Sequence, residues 1–78
     1  MKWRMVRNSD NENNMAMNYR MKSARVLRGW TQRQLGEQVG LKEIDVSRLE
    51  TGRVAPDRGM KEKIAAVLGK PAFELFLS

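Results

Sequence analysis

The side chains able to do chemistry in this chain are mostly cations. Of its 78 residues, 15 are Lys or Arg and nine are Asp or Glu, a formal net charge of +6, and there is no His and no Cys. Catalysis through a Cys nucleophile, a Ser–His pair or an imidazole base is therefore excluded. A disulfide is excluded too, and a structural zinc site lacks its usual thiolate and imidazole ligands. The carboxylates are scattered, with no paired-acid site and no glycine-rich phosphate loop beside them. The chain is thus read as a non-enzyme, with no metal, no cofactor and no small-molecule ligand expected. Its fixed positive charge instead attracts a polyanion, most often nucleic acid.

The charge is unevenly spread. Residues 1–18 carry three bases and two acids, 19–58 carry nine and five, and 59–78 carry three and two. Much of the central excess lies on one predicted helix, at Arg20, Lys22, Arg25 and Arg28. The densest pattern follows it, TQRQLGEQVGLKEIDVSRLETG over residues 31–52. Within it, Ser47 stands one helical turn after Glu43 and Ile44, and Arg48 is four positions after Ile44, on the same face.

Positioning such a face takes a small rigid domain. A chain this short buries only roughly 60% of its unfolded surface, so one domain fits and two do not. Apolar runs are short and the mean hydropathy is −0.62, so nothing can span a bilayer. The basic start MKWRMVRNSDNENN lacks the apolar stretch of a secretory signal. No membrane association is expected, and the cytoplasm is the expected compartment.

Residues 1–17 read as an arm. Asn8 to Asn14 is polar and without period, the signature of a flexible linker. Before it, Lys2-Trp3-Arg4-Met5-Val6-Arg7 interleaves bases with apolar residues. That stretch is either an unstructured terminus or an arm that touches DNA or a partner chain. Residues 18–78 form the domain, and every periodic signal in it is helical. Met17, Met21, Ala24 and Leu27 or Arg28 share one face of a first helix, which Gly29 ends. Thr31 caps a second, with Gln34 completing a capping box. It carries Leu35 and Val39 and stops at Gly40. Val46 and Leu49, with Ile44 beside them, mark a third helix at about 42–51, ending at Gly52 ahead of Pro56. Asp57 caps a fourth, bearing Met60, Ile64, Ala65, Val67 and Leu68 and closing at Gly69. Pro71 starts a short fifth with Phe73, Leu75 and Phe76. No segment alternates well enough to argue a sheet. The fold expected is all-α, with five helices.

The second and third helices meet the demands of a tight helix-turn-helix. Gly36 offers a small residue where the two backbones approach, Gly40 tolerates the positive φ of the turn, and Leu41 plugs the corner. These residues resemble the lambda-repressor-like Cro/repressor (XRE) helix-turn-helix domains. The resemblance runs through Gly29-Trp30-Thr31-Gln32, Gln34-Leu35-Gly36, Val39-Gly40-Leu41, Val46 to Gly52, Pro56, Ile64-Ala65 through Leu68, and Glu74-Leu75-Phe76. It covers roughly residues 19–76 and leaves out the arm.

The resemblance implies a double-stranded DNA partner, with the third helix in the major groove and base contacts from Glu43, Ile44, Ser47 and Arg48. Arg pairs bidentately with guanine, Glu accepts from cytosine N4, and Ile contacts a thymine methyl. The alternative for Arg48 is a phosphate or a nearby carboxylate, and for Glu43 and Asp45 a favourable interaction with the helix dipole. Phosphate contacts are expected from Thr31 and Gln32 at the start of the second helix, and from Arg33, Lys42, Thr51, Arg53 and Arg58. Arg25 and Glu50 match positions that form a salt bridge between the first and third helices. Met21, Trp30, Leu35, Val39, Val46, Leu49, Ile64 and Leu68 form the expected core, finished by Leu75 and Phe76. Phe73 and Leu77 are left for a homodimer contact or an intramolecular cap. The whole chain is read as DNA-binding domain, which suggests a small stand-alone transcriptional regulator, such as a repressor, a restriction–modification controller or an autoregulating antitoxin. A protein-interaction module that keeps the fold is the competing reading, prompted by the acids on the third helix.

Overall fold

Asn18 starts the helical domain and ties three parts of it together. In the computed structural model, which describes residues 6–7 and 17–76, its carboxamide oxygen accepts from the Met21 N–H (2.9 Å) and caps α1, Tyr19–Leu27. Its own N–H donates to the Glu50 carbonyl (2.7 Å), and its side-chain nitrogen donates to the Leu75 carbonyl (2.9 Å). Four further helices follow: α2 (Gln32–Val39), α3 (Glu43–Glu50), α4 (Arg58–Leu68) and α5 (Ala72–Leu75). Five helices are the expected number, and each break falls at the expected glycine or proline.

The inner face of α1 differs from the expected one. Met21, Ala24 and Arg25 are buried, whereas Leu27 is 81% exposed and Met17 lies exposed before the helix begins. Six positions after Met21, Leu27 falls roughly 240° around the helix and off the buried stripe. Arg28 returns to that side and lies over the Trp30 ring, 5.4 Å from its centroid.

One core joins the helices: Met21, Leu35, Val39, Val46, Leu49, Met60, Ile64, Leu68 and Leu75 are all buried. Each such side chain contributes about 1.5–3 kcal/mol when taken fully out of water. Trp30, Leu41 and Phe76 pack against its edge, half-buried. Asp57 caps α4 by accepting from the Met60 N–H (2.8 Å). Among the described residues no helix is long and apolar enough to cross a membrane, and none of their buried side-chain polar atoms lacks a hydrogen-bond partner.

The sequence signals no strand, yet Val6–Arg7 (β1) pairs antiparallel with Val54–Ala55 (β2), Val6 opposite Ala55 and Arg7 opposite Val54. The ladder joins two residues of the arm to the segment leaving α3. So short and non-local a pairing leaves no alternation to read.

Candidate nucleic-acid interface

The joint between α2 and α3 sets the geometry of the site. Thr31 Oγ1 accepts from the Gln34 N–H (3.0 Å) and Gln34 Oε1 accepts from the Thr31 N–H (2.9 Å), so the expected capping box forms in full. At the other end Gly40 has φ +80°, and the Leu41 N–H donates back to the Gly36 carbonyl (2.8 Å). A Cβ on Gly36 would sit 2.5 Å from the Leu41 carbonyl oxygen. That overlap is with backbone, which cannot swing aside, so the close approach requires glycine.

Charge locks α3 from within. Glu50 is 2% exposed, and its carboxylate accepts from Arg25 Nε (2.7 Å), Arg25 Nη2 (3.1 Å) and Gln32 Nε2 (3.1 Å). Arg25 Nη1 donates to the Trp30 carbonyl (2.7 Å). The Arg25–Glu50 pair is the one that the family resemblance implied. The bond from Gln32 was not legible in sequence: its side chain braces α2 against α3. At this helix start Thr31 takes the Gln34 amide and the Leu35 amide bonds the Thr31 carbonyl, which leaves the Gln32 and Arg33 amides without an intrahelical partner.

The N-terminus of α3 is capped in an unexpected way. Lys42 provides no side-chain cap. Instead Asp45 Oδ2 accepts from the Lys42 N–H (3.3 Å), so this acid serves its own helix. At the C-terminus the Thr51 hydroxyl donates to the Ser47 carbonyl (2.9 Å), with a longer approach to that of Arg48 (3.3 Å). The Thr51 N–H donates to the Ser47 carbonyl as well. With both its donors engaged within the helix end, Thr51 closes α3.

Among the described residues, the side chains on the outer face of α3 have no such partners. Glu43, Ile44 and Arg48 are exposed and Ser47 is half-buried. At 100° per residue the four side chains span roughly 140°, opposite the buried Val46, Leu49 and Glu50. Arg48 and Glu43 form no ion pair among the described residues, and Ile44 is 51% exposed. Lys42, Arg53 and Arg58 are likewise exposed and unpaired there. Arg53 is held to the helix end through its N–H, which donates to the Arg48 carbonyl (2.9 Å). Arg33 differs: its Nε lies 3.5 Å from Glu37 Oε2 in a solvent-exposed pair. Phe73 is 74% exposed on α5, while Leu77 falls outside the described residues.

Away from this face, a groove of about 280 Å³ runs between α1 and α5, lined by Tyr19, Ser23, Leu27, Lys70, Glu74 and Leu75. The described residues contain no cluster of three or more metal-ligating side chains. Sequence reasoning missed Asn18, although its residue type before an aromatic helix start was a usable cap signal.

Comparison with known proteins finds the same architecture. A helix-turn-helix family model matches residues 21–75. A protein named as a hypothetical transcription factor of Neisseria meningitidis serogroup B is 41% identical over 59 residues, covering 76% of this chain and 56% of its own length. The crystal structure of a hypothetical transcription factor from Neisseria, NHTF, superposes with a TM-score of 0.72 at 33% identity, covering 97% of this chain and 90% of that one. PlcR of Bacillus thuringiensis, solved in complex with the peptide PapR7 and DNA, superposes at 0.68 with 35% identity over 83% of this chain. The match takes in only 24% of PlcR, so this chain spans about half of one relative and a quarter of another.

Proposed function

The chain belongs to the helix-turn-helix family of the Cro/repressor type, and from this we propose that it is a sequence-specific regulator of transcription that binds double-stranded DNA through α3. One observation carries the reading: the inner face of α3 is fixed by a buried ion pair, while its outer face presents the side chains of Glu43, Ile44, Ser47 and Arg48 with no ion pair among the described residues. Eight residues of helix are about 12 Å long, matched to a major groove about 12 Å wide. Arg48 reads guanine through O6 and N7, Ile44 meets a thymine methyl, Glu43 accepts from cytosine N4, and Ser47 bonds either edge of its base pair.

Phosphates position the domain. The Gln32 and Arg33 amides, with the Thr31 hydroxyl, meet one at the start of α2. Lys42, Arg53 and Arg58 meet others, and Arg33 joins them by exchanging Glu37 for phosphate. A second copy docks through Phe73 on α5. It sets two α3 helices about 34–36 Å apart on a palindromic operator, where occupancy represses.

The acids of α3 favour a protein partner less than their number suggests, because Asp45 is taken up as a cap. Binding to duplexes of defined sequence tests the reading. Arg48→Ala costs about 1–3 kcal/mol on the preferred site and relaxes one base position. Capture of a protein partner by a chain that binds no duplex would favour the interaction module.

A further inference from the structure

We propose that the groove between α1 and α5 is a docking surface for an acidic segment of another protein, and that it stays open while α3 holds DNA. The docking stands on the groove alone, and only its coexistence with DNA rests on the DNA-binding reading above.

Three observations carry it. The first is apolar surface left in water beside a recess. Tyr19 and Leu27 line the groove and are 64% and 81% exposed, while the buried Leu75 forms part of its wall. Leu27 is the most exposed of the large apolar side chains among the described residues. Covering such surface yields about 25 cal/mol per Å². At about 280 Å³, the groove is slightly smaller than the roughly 300–1,000 Å³ of small-molecule sites. It suits one or two apolar anchors of a peptide segment better than an enclosed ligand.

The second is charge. Arg20 and Lys70 line the groove with one carboxylate, Glu74, which Lys70 already approaches at 4.0 Å. Arg20 has no ion pair among the described residues, and α1 contains Arg20, Lys22 and Arg25 but no acid. A second copy of this chain, at +6, brings like charge to that rim. An acidic segment brings the complement. A duplex shares the sign but has no side chain to fill the recess.

The third is direction. Tyr19, Arg20, Ser23 and Leu27 spread over about 100° of α1. Arg25, which holds Glu50 of α3, projects roughly 180° from the middle of that sector. The groove therefore faces away from α3, and an occupant leaves the outer face of α3 clear. Phe73, put forward above for the contact with a second copy, is not among the residues lining it. The occupant is an amphipathic helix that seats apolar residues at i and i+3 or i+4 against Leu27 and Leu75. Its acids meet Arg20 and Lys70.

The experiment selects peptides from a displayed random library on the immobilised full chain, then measures binding of the enriched peptides, synthesised, by fluorescence anisotropy. It compares the wild type, Leu27→Ser and R20E/K70E, with circular dichroism confirming that each is folded. All three positions are exposed, and an acid in the first turn of α1 is favourable to the helix dipole. The enriched peptides are expected to be acidic, with apolar residues at helical spacing. Leu27→Ser should weaken them about tenfold or more, as for loss of one apolar anchor. R20E/K70E should release them and accept the same peptides with Lys in place of their acids. A saturating duplex should leave the affinity of the wild type within about twofold, as for independent sites. Failure to enrich any peptide, or enriched peptides that bind Leu27→Ser as tightly as the wild type, overturns the docking surface. A wild-type dimer that Leu27→Ser turns into a monomer in sedimentation also overturns it, because the groove then belongs to a second copy. Release of the peptide by the duplex overturns the coexistence. A wild type that binds the peptides but no duplex overturns the DNA reading and leaves the docking standing.

Discussion

The two faces of α3 carry charge in opposite ways. On the inner face the Glu50 carboxylate takes three hydrogen bonds from Arg25 and Gln32, all within 3.1 Å. On the outer face Arg48 and Glu43 project into solvent with no ion pair among the described residues. The inner charges are costly to bury and secure only through mutual satisfaction. The outer charges are well solvated and bring little stability. The lesson is a division of labour within two turns of helix: a buried pair fixes where the helix stands, and unpaired side chains are left to meet something else.

The comparison can be broken most forcefully from the inside. Glu50→Ala leaves the Arg25 guanidinium buried without its counter-ion and is expected to lower unfolding free energy by about 3–5 kcal/mol in urea denaturation. Replacing Arg25 and Glu50 together with apolar residues of similar volume should recover much of that loss. Gly36→Ala ranks next. Its Cβ meets the Leu41 carbonyl oxygen at 2.5 Å, so α2 and α3 must move apart, at about 1–3 kcal/mol by the same assay. It should weaken duplex binding as well, because it changes the aim of α3. Thr31→Ala removes the cap of α2 and should cost about 1 kcal/mol. Arg33→Ala breaks only an exposed pair and should change stability by about 0.5 kcal/mol or less.

The parts of this arrangement legible in sequence are those set by local rules. Gly36, Gly40 and Leu41 announce the turn because backbone approach and positive φ restrict residue type wherever they occur. Thr31 and Gln34 announce a cap because both ends of the motif lie within one turn. The apolar spacing of Leu35, Val39, Val46 and Leu49 identifies the buried faces. What stayed hidden depends on partners far along the chain. Gln32 bonds Glu50 across 18 positions, Asn18 reaches Leu75 across 57, and the arm pairs with a segment some fifty residues away. Periodicity reports which face is buried and says nothing of which polar groups meet. Thr51 shows the same limit at short range: its type does not reveal that its hydroxyl donates to the Ser47 carbonyl.

Selecting bound duplexes from a random-sequence pool, with the wild type and with Arg48→Ala, tests the role of the outer face most directly. The wild type should return one preferred half-site, repeated with inverted symmetry one duplex turn apart. Arg48→Ala should keep its stability within about 0.5 kcal/mol, as expected of a surface position, and lose the preference for guanine at one place in each half-site. An identical consensus from both proteins, or none from the wild type, would contradict the assignment of α3 as the element that reads DNA.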